Sequence, residues 1–310
     1  MPKSVDVIIP TYRPGKEFRE LVERLLGQEY PVDHIYIMNT EAAHWDESLE
    51  RLSDKIITEH LEKKEFDHGG TRHRAILKSG ADIVICMTQD AMPKDRSLVD
   101  SLVRPFDAED VKAVYARQLA AGDCGVLERY TRSFNYPEES CIKRKEDLPK
   151  LGIKTYFCSN VCAAYDRKIY LELGGFVRHT IFNEDMIFAA GLIGHGYAVA
   201  YAADARVVHS HNYSGIQQLH RNFDLAVSQA QHPEVFAGVP SEGEGIRMVK
   251  QTAGYLFRRK PYLIPKLVWQ SGCKYLGYWL GKRYERLPGK LVMRLTMNRE
   301  YWRSHKLAAK

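Results

Sequence analysis

Val5-Asp6-Val7-Ile8-Ile9-Pro10-Thr11-Tyr12-Arg13-Pro14 opens the chain and sets the reading of all that follows. The run from Val5 to Pro10 reads as a buried strand, because branched apolar side chains dominate it without a regular polar alternation. A nucleotide-binding α/β chain of the common kinds would follow such a strand with G-x-G-x-x-G, or carry G-x-x-x-x-G-K-[ST]. Neither pattern occurs, so the usual dinucleotide and P-loop readings have no support. The loop instead presents a hydroxyl, an aromatic face and a guanidinium on Thr11, Tyr12 and Arg13, groups suited to a nucleotide. The competing reading is a loop merely stopped by Pro10 and Pro14.

Working outward, Gly15 to Gln28 carries Phe18, Leu21, Val22, Leu25 and Leu26 at helical spacing. His34–Met38, Lys55–Thr58 and Asp82–Met87 read as further strands. A short helix over Trp45–Leu52 and another over Gly70–Lys78 lie between them. Strands alternating with helices predict a parallel α/β sheet with its ligand at the carboxyl ends of the strands, so the loops after Pro10, Met38 and Met87 should converge on one cleft. After Lys112–Tyr115 the alternation breaks into a polar and aromatic stretch, Arg117–Lys154, that contains a flexible loop on this reading. The pattern resumes with a strand at Ser159–Tyr165, a helix at Arg167–Leu173, a helix at Asn183, and two strands at Ala198–Tyr201 and Arg206–Val208. From Gly215 onward the segments read as helical, with a hinge at Gly238–Gly243. The partition is therefore a catalytic domain over 1–214 and a helical, basic, aromatic-rich region over 215–310.

Length and composition are those of a globular chain with a sizeable core: 310 residues, 45% hydrophobic and 27% charged. Six cysteines form no paired C-x-x-C pattern and read as reduced thiols, with a zinc site as the alternative. No signal peptide is expected ahead of the first strand, and no apolar run reaches the length of a membrane span. The net charge of +6 hides a division: from Arg247 to the end there are 16 Lys/Arg against two acids. A basic tail on an acidic body points to an anionic surface, nucleic acid or membrane. Aromatic residues interleaved with the basic ones, among them Tyr255, Phe257, Tyr262, Trp269, Tyr275, Trp279 and Trp302, favour a membrane headgroup boundary. No nucleic-acid recognition motif accompanies the charge.

Four constellations carry chemistry. In Asn183-Glu184-Asp185 a carboxylate pair begins a helix, where backbone N–H groups and the helix dipole favour an ionised base. In Phe66-Asp67-His68-Gly69-Gly70-Thr71-Arg72, glycines open a helix and let its backbone approach a ligand. Asp67 suits a base N–H and Arg72 a phosphate, against the plainer reading of a glycine-stabilised turn. In Thr88-Gln89-Asp90-Ala91 the acid stands just past a buried strand. A diphosphate-bound Mg²⁺ or Mn²⁺ would compensate it, and a loop cap is the alternative. His209 and His211, two apart on an extended backbone, face one side, and either suits that metal or a structural hydrogen bond.

Taken together with Val7-Ile8-Ile9-Pro10-Thr11-Tyr12, Ala116-Arg117-Gln118-Leu119, Ser133-Phe134-Asn135-Tyr136-Pro137, Phe157-Cys158-Ser159-Asn160 and His209-Ser210-His211-Asn212-Tyr213-Ser214, these segments resemble family 2 glycosyltransferases of the GT-A fold. Within that family they are similar to bacterial rhamnosyltransferases that use dTDP-L-rhamnose. The resemblance covers about the first two-thirds of the chain. It implies a Rossmann-like mixed sheet flanked by helices and an inverting transfer in which Asp185, beside Glu184, deprotonates the acceptor. It places Thr11, Arg13, Asn39, Asp67, Gly70, Arg72, Gln89 and Asp90 at the donor, a divalent ion on Asp90 with His209 and His211, and Arg117, Tyr136 and Asn160 at the acceptor. It implies a lipid-linked saccharide acceptor at the cytoplasmic membrane face, no nucleic acid, and leaves self-association open. One departure matters: the Asp-x-Asp metal motif of many GT-A enzymes is Thr88-Gln89-Asp90 here, which leaves a single carboxylate. A metal-dependent nucleotidyltransferase, a nucleotide-sugar hydrolase, or a non-catalytic membrane-surface binding protein are the other classes the residues allow.

Overall fold

The structure is a computed structural model and describes residues 2–239 and 242–304. The chain divides into two compact units: Met1–Gly122 with Asn135–Arg178 and Glu184–Ser210, and Asp123–Phe134 with His179–Asn183 and His211–Lys310. The second unit thus draws two short internal segments, and also residues 211–214, from within the expected 1–214 span.

The first unit is built on a nine-stranded sheet among the described residues. Its strands are β1 (Val5–Tyr12), β2 (His34–Thr40), β3 (Ile56–Leu61), β4 (Ile83–Met87), β5 (Met92–Pro93), β6 (Val111–Leu119), β7 (Cys141–Lys143), β8 (Cys162–Asp166) and β9 (Ala198–Val208). The order is β3-β2-β1-β4-β8-β6-β9-β5, with β7 on β9. β3, β2, β1 and β4 run parallel. β8 is antiparallel to both β4 and β6, so the all-parallel expectation drawn from the strand–helix alternation is corrected to a mixed sheet.

The period of two sorts the apolar side chains onto opposite faces. Val7, Ile9, Ile35, Ile37, Ile83 and Ile85 pack with Phe18, Leu21, Val22 and Leu25 of helix Glu17–Leu26. Ile8, Tyr36, Met38, Val84 and Cys86 face the other way, against Ile76 of helix His68–Lys78, Tyr170 of helix Arg167–Glu172 and Phe188 of helix Glu184–Gly194. Helices on both faces explain why the strands read as near-continuous apolar runs.

Two further expectations change. The strands predicted at Ala198–Tyr201 and Arg206–Val208 are one strand, β9. Its pairing with β6 shifts register between Ala116 and Arg117, and that irregularity absorbs the polar interruption at Asp204, which is exposed. The unassigned stretch Arg117–Lys154 holds the end of β6, helix Val126–Asn135 and β7.

The second unit is helical. Helices Gly215–Gln231 and Ile264–Gly281 pack closely because Gly277 and Gly281 share one face: a Cβ on Gly277 would lie 2.1 Å from the Leu219 carbonyl oxygen. Phe223, Val227, Val292, Leu295, Tyr301 and Trp302 form its core. Trp302, expected among the surface aromatics, is therefore buried. Phe257, Tyr262, Trp269, Tyr275 and Trp279 are exposed. Pro240 and Ser241 of the expected hinge lie outside the described residues, and no described helix is long and apolar enough to cross a membrane.

Candidate active site

The acidic pair begins helix Glu184–Gly194, entered through Asn183 in the left-handed conformation (φ 66°). The two neighbouring carboxylates part company at this turn. Glu184 is buried, 3.3 Å from Nη1 of Arg72, and accepts a hydrogen bond from the Asn160 side chain at 3.1 Å. Asp185, half-buried, accepts one hydrogen bond at each oxygen: from the backbone N–H of Asn160 and from its neighbour Met186, both at 2.8 Å. The amide oxygen of Asn160 is fixed in turn by the Tyr165 hydroxyl at 2.8 Å. One asparagine therefore holds both acids.

Electrostatics separate the pair. Burial pushes the Asp185 carboxyl up, the negative charge of Glu184 adds to this, and the two N–H donors only partly offset them; the result is about 7. Burial opposes ionisation of Glu184 as well, but the Arg72 guanidinium, followed by His68 and the Asn160 amide, holds its carboxyl below the ordinary value. One acid stays charged while the other exchanges a proton near neutrality, the condition for general-base work.

The loops after β1, β2 and β4 do converge. Thr11 donates its hydroxyl to Asn39 at 3.1 Å, both side chains buried, and Asn39 meets the His60 ring at 3.0 Å. Gln89 grips Tyr12 at both ends, accepting from its N–H at 2.8 Å and donating to its carbonyl at 3.1 Å. Arg13 is exposed, left-handed (φ 48°), with its guanidinium 5.2 Å from the Tyr12 ring centroid. Asp67 caps helix His68–Lys78 by accepting from the Gly70 N–H. Gly69 is required by packing: a Cβ there would stand 2.2 Å from the Val177 carbonyl oxygen. Arg72, expected at a phosphate, is buried against Glu184 and also donates to the His68 carbonyl at 2.8 Å.

Asp90 lies past the end of β4 with its side chain 44% exposed, and its Oδ2 is 3.5 Å from Nε2 of His209, at the end of β9. The other ring nitrogen of His209 meets Gln118 Oε1 at 3.1 Å, while the amide nitrogen of Gln118 donates to Ser159 at 3.0 Å. Where Nδ1–H is donated to Gln118, Nε2 is left as a lone pair that, with the Asp90 carboxylate, could be offered to a shared cation. His211 follows two residues along the chain, and one donor atom from each of the three lies within 4.8 Å of the others. One carboxylate and two imidazoles suit a divalent transition ion such as Mn²⁺ better than the oxygen-preferring Mg²⁺.

The three acceptor candidates differ. Asn160 is buried at the acid pair. Arg117 pairs with Glu138 at 2.9 Å, and its Nε is buried without a hydrogen-bond partner among the described residues. Tyr136 is buried among the rings of Phe157 and Tyr201.

Residues 6–174 match the family "Glycosyl transferase family 2". Two curated proteins align over 96% of this chain and 96% of their own length: the O-antigen chain rhamnosyltransferase RfbN of Salmonella typhimurium, 38% identical, and the O-antigen chain rhamnosyltransferase WbaN of Salmonella anatum, 36% identical. The chain is a family 2 glycosyltransferase. Its fold is GT-A: a mannosyltransferase from Pyrobaculum calidifontis, solved with GDP-Man and Mn²⁺, superposes with a TM-score of 0.55 over 98% of this chain and 86% of its own at 17% identity. S. aureus TarS residues 1–349, solved with UDP-GlcNAc, superposes at 0.52 over 91% of each chain at 14% identity.

Sequence reasoning did not assign roles to three side chains of this glycosyltransferase. Gln118 and Ser159 orient His209, and Tyr165 orients Asn160. The signal available for Gln118 was a polar residue among apolar neighbours in a strand, buried in the structure. A buried amide needs partners, and here one partner is a metal-ligand candidate. Tyr165 looked like core, and its hydroxyl is what the strand pattern cannot place.

Proposed function

We propose that this glycosyltransferase moves L-rhamnose from dTDP-L-rhamnose to a sugar hydroxyl of a lipid-linked surface polysaccharide precursor, with inversion at the anomeric carbon. The observation that carries this reading is the match, at 36–38% identity along nearly the whole of both chains, to two O-antigen chain rhamnosyltransferases. Asp185 is the base. With its carboxyl at about 7 it is substantially ionised at neutral pH and still basic enough to accept the acceptor proton. A single displacement with one base inverts, and Glu184, tied to Arg72, is not free to act as a second nucleophile.

Thr11, Asn39, Gln89 and Asp67 line or shape the nucleotide loops. Asp90 with His209 and His211 would hold a divalent ion, Mn²⁺ by preference, which takes up charge developing on the departing diphosphate. Exposed Phe257, Tyr262, Trp269, Tyr275 and Trp279, interleaved with Arg258, Arg259, Lys260, Lys266 and Lys282, support reversible docking on an anionic membrane face at about 1 kcal/mol per engaged cation.

A donor screen of the purified protein, read as release of dTDP or UDP in the presence of saccharide acceptor, tests the reading. Turnover that requires dTDP-L-rhamnose is expected; preference for a UDP-hexose would overturn the donor assignment. Binding to anionic vesicles that falls with salt tests the docking, and indifference to such vesicles at low salt would sink it.

A further inference from the structure

The helical unit contains a cavity of about 190 Å³ bordered by Glu128, Gln218, Gln270, Lys274, His211 and Tyr213. A volume of this order accommodates a single ring-sized ligand.

Two side-chain groups on its wall make no hydrogen bond or ion pair among the described residues. Gln218 is only 9% exposed, and its side-chain amide makes no hydrogen bond among the described residues. Lys274, half-buried, makes neither a hydrogen bond nor an ion pair among the described residues, although burial lowers its proton affinity, with Glu128 opposing and Arg221 and Arg132 adding to the effect. A buried amide and a partly desolvated ammonium left without partners in one cavity are what a polar ligand would complete.

The wall also says which kind of ligand. Glu128 is already paired with Arg132 at 2.7 Å, and Asp123 contributes a second carboxylate, so an anion entering the cavity meets two acids beside two lysines, Lys266 and Lys274. Donors, acceptors and the Tyr213 ring mixed at close quarters suit an uncharged polyol, whose hydroxyls both give and accept hydrogen bonds.

We propose that this cavity holds one monosaccharide unit of the acceptor glycan, with Gln218 and Lys274 binding its hydroxyls. The proposal rests on the reading of the protein as a transferase acting on a saccharide acceptor, and its test is separate from the donor. Saturation-transfer NMR of the full-length protein with dTDP present would use methyl α-L-rhamnopyranoside, methyl α-D-mannopyranoside and methyl α-D-galactopyranoside as probes. Calorimetry with inorganic pyrophosphate supplies the anion arm.

At least one glycoside should bind the wild type and bind at least tenfold more weakly to both Gln218→Leu and Lys274→Met, with dTDP affinity and thermal melting unchanged. If Gln218→Leu melts early, Lys274→Met decides. Equal glycoside binding by variants and wild type would overturn the proposal, as would no glycoside binding at all. Pyrophosphate binding lost in Lys274→Met without any glycoside binding would make the cavity an anion site and overturn it equally. A wild type that binds a glycoside in this cavity but turns over no dTDP-sugar would refute the donor assignment and leave this site standing.

Discussion

The acid pair and the Asp90 corner lie in the same sheet unit and are built on opposite plans. Asp185 is held by two backbone N–H groups, with a buried ion pair behind it and an asparagine that is itself held by a tyrosine. Asp90 is almost half exposed and faces an imidazole nitrogen 3.5 Å away, with its order supplied from behind by Gln118 and Ser159. The first arrangement is complete without a ligand and has a proton affinity tuned by its surroundings. The second offers a carboxylate and an imidazole nitrogen to a divalent cation. Their contrast matches a division of labour between moving a proton and holding a diphosphate.

The largest expected effect separates them at once. Asp185→Asn should lower turnover by about 10²- to 10⁴-fold, the usual range for loss of a general base, with no loss of dTDP affinity; initial rates and calorimetry on one preparation check it. Next comes Arg72→Met, which strands the Glu184 carboxylate in the interior. Removing one partner of a buried pair costs about 3–5 kcal/mol, to be read in a denaturant titration. At the other corner, Gln118→Leu should weaken Mn²⁺-dependent dTDP binding by about 10- to 100-fold by letting the His209 ring turn, while binding in chelator stays as it was.

The smallest effect is the most diagnostic of the electrostatics. If Asp185 is the base it must be ionised to act, so kcat/KM should rise with pH through about 7. Glu184→Gln removes a negative neighbour that holds this carboxyl up, so the midpoint should move to lower pH. A midpoint that stays in place or rises in Glu184→Gln would mean that the two acids are not coupled in this way.

Much of this could be read from residues alone, and the reasons are local. β1, β2 and β4 are apolar runs between loop signals, and they form where the pattern puts them. Asn183-Glu184-Asp185 does begin a helix because a left-handed asparagine and two first-turn acids are local devices. What the chain does not announce is long-range. Lys143 looks like a surface residue in a polar stretch. Yet β7 buries it, its ammonium donates to the Lys154 and Phe157 carbonyls and lies 4.5 Å from the Tyr115 ring centroid, and burial pulls its pKa down to about 8. Arg72 reads as a phosphate ligand from its place after two glycines, but its partner, Glu184, lies 112 residues away. Trp302 reads as a surface anchor because its neighbours are basic, and it packs in the helical core beside Tyr284 and Tyr301. For Arg72 above all, the deciding contact is made by a segment that sequence spacing cannot bring near.

Whether proton transfer and diphosphate binding are housed separately, as proposed, can be tested by one crossed measurement. Turnover and dTDP affinity would be determined for Asp185→Asn and Asp90→Asn side by side, in Mn²⁺ and in chelator. Asp185→Asn should lose turnover and keep full affinity in both buffers, whereas Asp90→Asn should lose the Mn²⁺-dependent part of its affinity. Near-normal turnover in Asp185→Asn, or a loss of nucleotide affinity there equal to that of Asp90→Asn, would contradict this separation.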